Sequence, residues 1–138
     1  MYKVSVSVLK NRLYLFAEGR MGVEEVDVAI GEINDEVEKL AVGFNVISSL
    51  SSFEPEDDVV RLKFQRAIKA LKEEKGLGNL IRVIPGQQGV SECNALEVID
   101  CQWLKDFRKE GKIAEDVSTL EMADARMDAL DLNCVYFG

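Results

Sequence analysis

Two short apolar runs close to the N-terminus, residues 4–9 and 13–17, are followed by a regular alternation of helical and strand-like segments, and this order constrains the fold more than any single motif does. Val4, Val6 and Val8 alternate with Ser5 and Ser7, the period of two that marks a half-buried strand. Lys10 and Asn11 form a short turn, and residues 13–17 resume as a second strand. So short a connection predicts an antiparallel hairpin, with Asn11 taking the positive φ that such turns demand.

Downstream the period changes. Val26, Ala29, Ile30, Ile33, Val37 and Leu40 recur at helical spacing with glutamates and aspartates opposite, predicting an amphipathic helix over 23–41 stopped by Gly43. Residues 44–47 read as a buried strand and 48–54 as a loop. Pro55 suits a first helical turn, and Glu56, Asp57 and Asp58 suit the positive end of the helix dipole. Val60, Phe64, Ala67, Ile68 and Leu71 stripe that second helix, which Gly76 and Gly78 end. Residues 80–84 form another strand, broken by Pro85 and Gly86. Ser91 caps a third helix carrying Cys93, Leu96, Ile99, Trp103, Leu104 and Phe107, and Gly111 stops it. Residues 113–117 are a weaker strand, interrupted by Glu115 and Asp116. Ser118-Thr119-Leu120-Glu121 has the form of a capping box and opens a fourth helix through Ala123, Met127 and Leu130. Helices set between buried strands imply parallel pairs and right-handed crossovers. The expectation is an α/β fold, one domain over 1–138: a mixed sheet of four to five strands with an antiparallel first strand, and about four helices. The apolar tail, 131–138, is expected to add a strand or to dock as a segment.

Composition excludes several functions. The chain of 138 residues carries 25 acidic and 17 basic side chains, a net charge of −8, which opposes binding to nucleic acid or to anionic lipid. It has no histidine, and its three cysteines form no CxxC pair, so the usual zinc patterns are missing and no metal or cofactor is expected. On an ideal helix Cys93 and Cys101 stand about 12 Å apart, too far for a disulfide. The N-terminus does not read as a signal peptide, and no run reaches the roughly 18–20 apolar residues of a membrane helix. Free thiols then point to the cytoplasm.

The element order, with the local wording Asn11-Arg12-Leu13-Tyr14-Leu15, Glu18-Gly19, Gly43-Phe44-Asn45-Val46-Ile47-Ser48-Ser49-Leu50, Gly78 and Arg82-Val83, resembles the STAS-like, or SpoIIAA-like, fold of anti-sigma-factor antagonists, in its small stand-alone branch. The likeness spans about 4–130. It implies a regulatory protein-interaction module and not an enzyme. In antagonists of this type a serine or threonine near the start of the second helix is phosphorylated to switch partner binding. The matching stretch here runs from Ser48 to Pro55; it has the serines, without the family's Asp and Gly.

Ser48, Ser49, Ser51, Ser52 and Phe53 are therefore the first candidate recognition residues, beside the serine-turn role in which such side chains cap their own backbone. Gly86, Gln87, Gln88 and Gly89 form a second candidate loop, with two glycines for close approach and two amides for a polar partner. Its spacing is that of neither a dinucleotide loop nor a phosphate loop. Arg61, Lys63, Arg66, Lys69, Lys72 and Lys75 make the second helix the most basic element, either a solvated face or part of a charged recognition surface. No catalytic residue is expected. Two functions follow: a non-enzymatic module that binds a protein partner, with a homodimer contact through the tail as one form, or a binder of a small apolar or anionic metabolite held between the two loops.

Overall fold

The computed structural model describes residues 1–86, 89–90 and 101–137. Among them β1 (Tyr2–Ser7) and β2 (Arg12–Met21) form the predicted hairpin, with Val4 opposite Leu15 and Val6 opposite Leu13. Asn11 sits at φ +53°, as the turn requires. Then follow α1 (Val23–Val37), β3 (Asn45–Pro55), α2 (Asp58–Glu73), β4 (Leu80–Val83), β5 (Gly89–Val90), α3 (described over Cys101–Lys109), β6 (Ala114–Val117) and α4 (Leu120–Phe137). The sheet runs β1-β2-β3-β4-β6-β5; β2, β3, β4 and β6 are parallel, and the two edge strands are antiparallel to their neighbours. This is the expected mixed α/β sheet, with six strands where four to five are predicted; the addition is β5, a two-residue strand laid against Glu115 and Asp116.

The alternation of side chains sorts the sheet into two faces. Leu13, Leu15, Ala17, Val46, Leu80 and Ala114 point to one side, where α1 brings Val26, Ala29 and Ile33, α2 brings Phe64 and Ile68, and α3 brings Trp103, Leu104 and Phe107. Ile47, Ile81, Val83 and Val117 point to the other, where α4 covers them with Ala123, Met127 and Leu130. The parallel strands are added in one direction, so right-handed crossovers place α1 to α3 on a single face, and only the helix after the last strand reaches the opposite one.

Several local expectations are corrected. Residues 48–54 are not a loop: β3 runs on to Pro55 because β2 itself continues to Met21, and the two stay paired from Arg12–Asn45 to Met21–Pro55. Between Phe16 and Glu18 on β2 the partners jump from Ser49 to Ser52, a bulge with one extra residue on β3. That residue reverses the alternation, so Phe53 points into the same core as Val46 and Ser48. The bulge hides the strand from a period-two reading.

α1 stops at Val37, short of residue 41. Its last turn carries Asp35 and Glu36 and no basic side chain, which the negative end of the dipole disfavours. The Ala41 N–H donates instead to Asn11 Oδ1 at 2.8 Å. α4 is capped by Thr119, whose Oγ1 accepts from the Met122 N–H at 3.2 Å. The tail is no added strand, since residues 131–137 continue α4. The third helix's expected Ser91 cap, with Cys93, Leu96 and Ile99, lies outside the described residues.

Candidate functional site

Because β2 and β3 are parallel and end in register, α1 and α2 start side by side. Met21 pairs with Pro55, and the Glu56 N–H donates to the Met21 carbonyl at 3.0 Å. Gly22 is the N-cap of α1. A β-carbon there would stand 2.7 Å from Glu56 Oε2, so the missing side chain lets the Glu56 carboxylate lie over the start of α1. Asp57 caps α2, accepting from the Val60 N–H at 3.1 Å, and Asp58 pairs with Arg61 at 3.3 Å. With Glu24 and Glu25 in the first turn of α1, this corner gathers five carboxylates about two positive helix ends.

The corner is not only acidic. Val23, Val59 and Leu62 are exposed. One turn further along each helix Asp27 accepts from Lys63 Nζ at 2.9 Å, tying α1 to α2. Val23 and Val59 stand four residues before that pair, and so flank each other across the top of the inter-helix seam.

The predicted serines do not form one surface. Ser48 is buried on the face covered by α1 to α3, with Arg82 as its register partner. Phe53 is also buried, its ring 5.3 Å from that of Phe64, and it is a core residue. Ser49 lies opposite Phe16 and is half-buried, Ser52 lies opposite Glu18 and is exposed, and Ser51 lies within the strand between them. Of the second loop, Gly86 is an exposed turn residue at φ +82°, Gly89 pairs with Asp116 in β5, and Gln87 and Gln88 lie outside the described residues.

A buried polar row does run across the sheet between the two segments. Ser48, Arg82, Asp116 and Gly89 are successive register partners on β3, β4, β6 and β5. Arg82 Nε donates to Asp116 Oδ1 at 2.8 Å and its Nη2 to Oδ2 at 3.1 Å, a bidentate pair in which both side chains are buried. The row ties β4 to β6 beneath the helices.

A second polar cluster gathers at the opposite end of the strands. Arg12, the first residue of β2, is fully buried and donates to Asp124 at 2.9 Å, Asp128 at 2.9 Å and Asp131 at 2.8 Å, all on α4. Tyr14 donates to Asp124 at 2.7 Å, and Lys10 pairs with Asp128 at 3.3 Å. Asn45 Nδ2 donates to Asp131 at 3.0 Å; its Oδ1 accepts from the Asn79 N–H at 2.7 Å, and Asn79 Oδ1 accepts from the Ile113 N–H at 3.0 Å. One relay thus joins α4 to the starts of all four parallel strands. Burial works against the Arg12 charge, but the hydrogen bonds to Asp128, Tyr14, Asp131 and Asp124 outweigh it and hold the guanidinium protonated beyond its usual range. Burial and then Asp124 push the Tyr14 phenol up. The Arg12 hydrogen bond holds Asp128 below the usual carboxylate range. Three aspartates surround one guanidinium, with Lys10 beside Asp128, and among the described residues no cluster of acidic or thiol side chains is arranged to hold a metal ion.

Segments cross closely at this base as well. A β-carbon on Gly78 would stand 2.5 Å from the Gly43 carbonyl oxygen and 2.7 Å from Asn45 Oδ1, so only glycine fits there.

No family model matches the chain, and no curated protein matches it. Among solved structures, it is similar to the Bacillus cell fate determinant SpoIIAA in its phosphorylated form, at 17% identity over 91% of this chain and 98% of that one, with a TM-score of 0.46. It is also similar to the anti-sigma factor antagonist SpoIIAA in its unphosphorylated form, at 14% identity over 94% and 97%, with a TM-score of 0.47. Within the described residues, no helix is long and apolar enough to cross a membrane.

Proposed function

We propose that this chain is a non-enzymatic, regulatory protein-interaction module of the cytoplasm, and that it engages its partner at the corner where α1 and α2 begin. The observation that carries this reading is the set of exposed apolar side chains Val23, Val59 and Leu62, ringed by Glu24, Glu56, Asp57 and Asp58 on two helices fixed to one sheet. An apolar centre with a charged rim is the composition of a recognition patch. The excess of carboxylates selects a partner segment that is basic with an apolar face. Ser49 and Ser52 adjoin this corner on the opposite sheet face, and a phosphate on Ser52 would stand beside Glu18, its register partner, adding charge next to the site. Ser48 and Phe53 act from inside, by positioning β3. The small-metabolite reading has less support, because the four parallel strands follow chain order without reversal and offer no switch-point crevice.

Affinity capture from the native host tests the proposal, comparing wild type with the double variant Val59→Asp, Leu62→Asp. A specific protein retained by the wild type should be lost by the variant, while circular dichroism and Tm stay unchanged. Equal retention by both would reject the corner as the site.

A further inference from the structure

The end of the sheet opposite that corner carries the three most exposed apolar side chains of the described residues: Leu9 at 96%, Val42 at 85% and Val8 at 63%. Val8 and Leu9 form the β1–β2 turn, and Val42 lies in the α1–β3 connection. Asn11 makes these two loops one surface. Its Oδ1 accepts from the Ala41 N–H at 2.8 Å, and its Nδ2 donates to the Ala41 carbonyl at 3.3 Å. The relay through Arg12, Asn45 and Asn79 lies just beneath, so the patch rests on a hydrogen-bonded support. The backbone of α4 continues past Asp131, the residue bonded to the start of β3, through residues 132–137, and the sequence of those turns is Leu-Asn-Cys-Val-Tyr-Phe. The apolar patch and the apolar end of α4 therefore belong to the same end of the fold.

We infer that this base is a self-association surface, and that its occupant is a second copy of this chain. Charge selects the occupant. Two copies, each with a net charge of −8, repel unless they meet where acidic and basic groups balance. The α1–α2 corner cannot be that place, with its five carboxylates. The base can: Lys10 lies beside Asp128, and Lys39 beside Glu36, around the apolar centre. Mixed signs about an apolar middle suit an isologous contact, in which each patch meets its own image. A basic peptide would meet lysines as well as carboxylates here, and an anionic lipid surface would meet the carboxylates as well as the lysines. Three exposed side chains fall below the roughly 800 Å² per partner of a standard interface, so the contact is reversible and weak.

The consequence is functional. β3 has 11 residues, which at about 3.3 Å each puts the corner some 36 Å from the base. A base-to-base dimer presents two corners facing away from each other, and so offers a repetitive partner a bivalent module. This consequence rests on the corner reading; the dimer itself does not.

Sedimentation velocity over a concentration series tests the inference. Wild type should pass from monomer to dimer, with the dimer strengthened as salt screens the net charge. Leu9→Asp with Val42→Asp should raise the midpoint concentration at least about tenfold, the equivalent of 1.4 kcal/mol, with an unchanged circular dichroism spectrum. Val59→Asp with Leu62→Asp should leave the midpoint where it is, so failure of the dimer and failure of the corner are read separately. A wild type that stays monomeric up to about 1 mM, or a dimer indifferent to the Leu9 and Val42 changes, would overturn the inference. So would flotation of wild type with anionic phospholipid vesicles that the same double variant abolishes, because it would give the patch to a lipid surface.

Discussion

Arg12 and Arg82 are both buried, both on parallel strands and both matched to aspartate, yet they do different work. Arg82 faces the side covered by three helices, and its partner Asp116 is as deeply buried as itself. Arg12 faces the side covered by α4 alone, and its partners Asp124, Asp128 and Asp131 remain 35%, 52% and 40% exposed. In the first pair, loss of either member takes a bidentate bond from a charge held away from water. In the second cluster, loss of the arginine leaves carboxylates that water can reach. The buried Arg12 Nε already goes without an acceptor among the described residues, so the cluster is less fully satisfied at its inner edge than at its outer one. The Arg82 pair fixes neighbouring strands in register; the Arg12 cluster fastens a helix to a sheet.

The largest effect expected from this contrast is at Asp116. Asp116→Asn keeps the shape but leaves Arg82 facing a neutral amide, and it should cost about 3–5 kcal/mol in denaturant unfolding, the usual loss on breaking a buried pair. Arg12→Met keeps most of the apolar stem and should cost less, about 2–3 kcal/mol, the scale of lost hydrogen bonds to charged groups. The expected ranking is the test. If Arg12→Met proved the more damaging change, exposure of the three aspartates would not be the relief described, and α4 would be integral to the sheet's stability.

Neither arginine stands out in the sequence, for a shared reason. Arg12 stands just before the second apolar run and Arg82 interrupts the apolar run 80–84, and neither position says what covers the side chain. The signal for Arg12 lies a hundred residues away. Asp124, Asp128 and Asp131 each follow one of the core residues Ala123, Met127 and Leu130, which makes an acidic stripe along the flank of the buried one. A helix with that stripe calls for a cation on the surface it covers. The hairpin, the Asn11 turn and the core stripes of α1 and α2 are plain in the sequence because their cause is local. Phe53 was hidden because one extra residue in β3 inverts the period, and the inversion depends on how β2 pairs. The corner was half legible: its carboxylates show in the sequence, whereas the neighbouring of Val23 and Val59 follows only from the parallel pairing of β2 and β3.

The smallest predicted effect is a pH dependence within the Arg12 cluster. The Arg12 hydrogen bond holds Asp128 below its ordinary value of 3.8, with burial opposing and Lys10 assisting. A carboxylate held down in the folded state stabilises it at pH values above the unfolded-state value, and that contribution fades as pH falls through the lower, folded-state value. Asp128 is half exposed, so solvent screening limits its share at neutral pH to no more than about 1 kcal/mol. Asp128→Asn should accordingly lower the urea midpoint slightly at pH 7 and lose its difference from wild type as pH drops well below 3.8. A gap between the two proteins that stays constant from neutral pH into that acid range would mean that Asp128 acts by shape and not by charge, and that the clamp on α4 is held by Asp124 and Asp131.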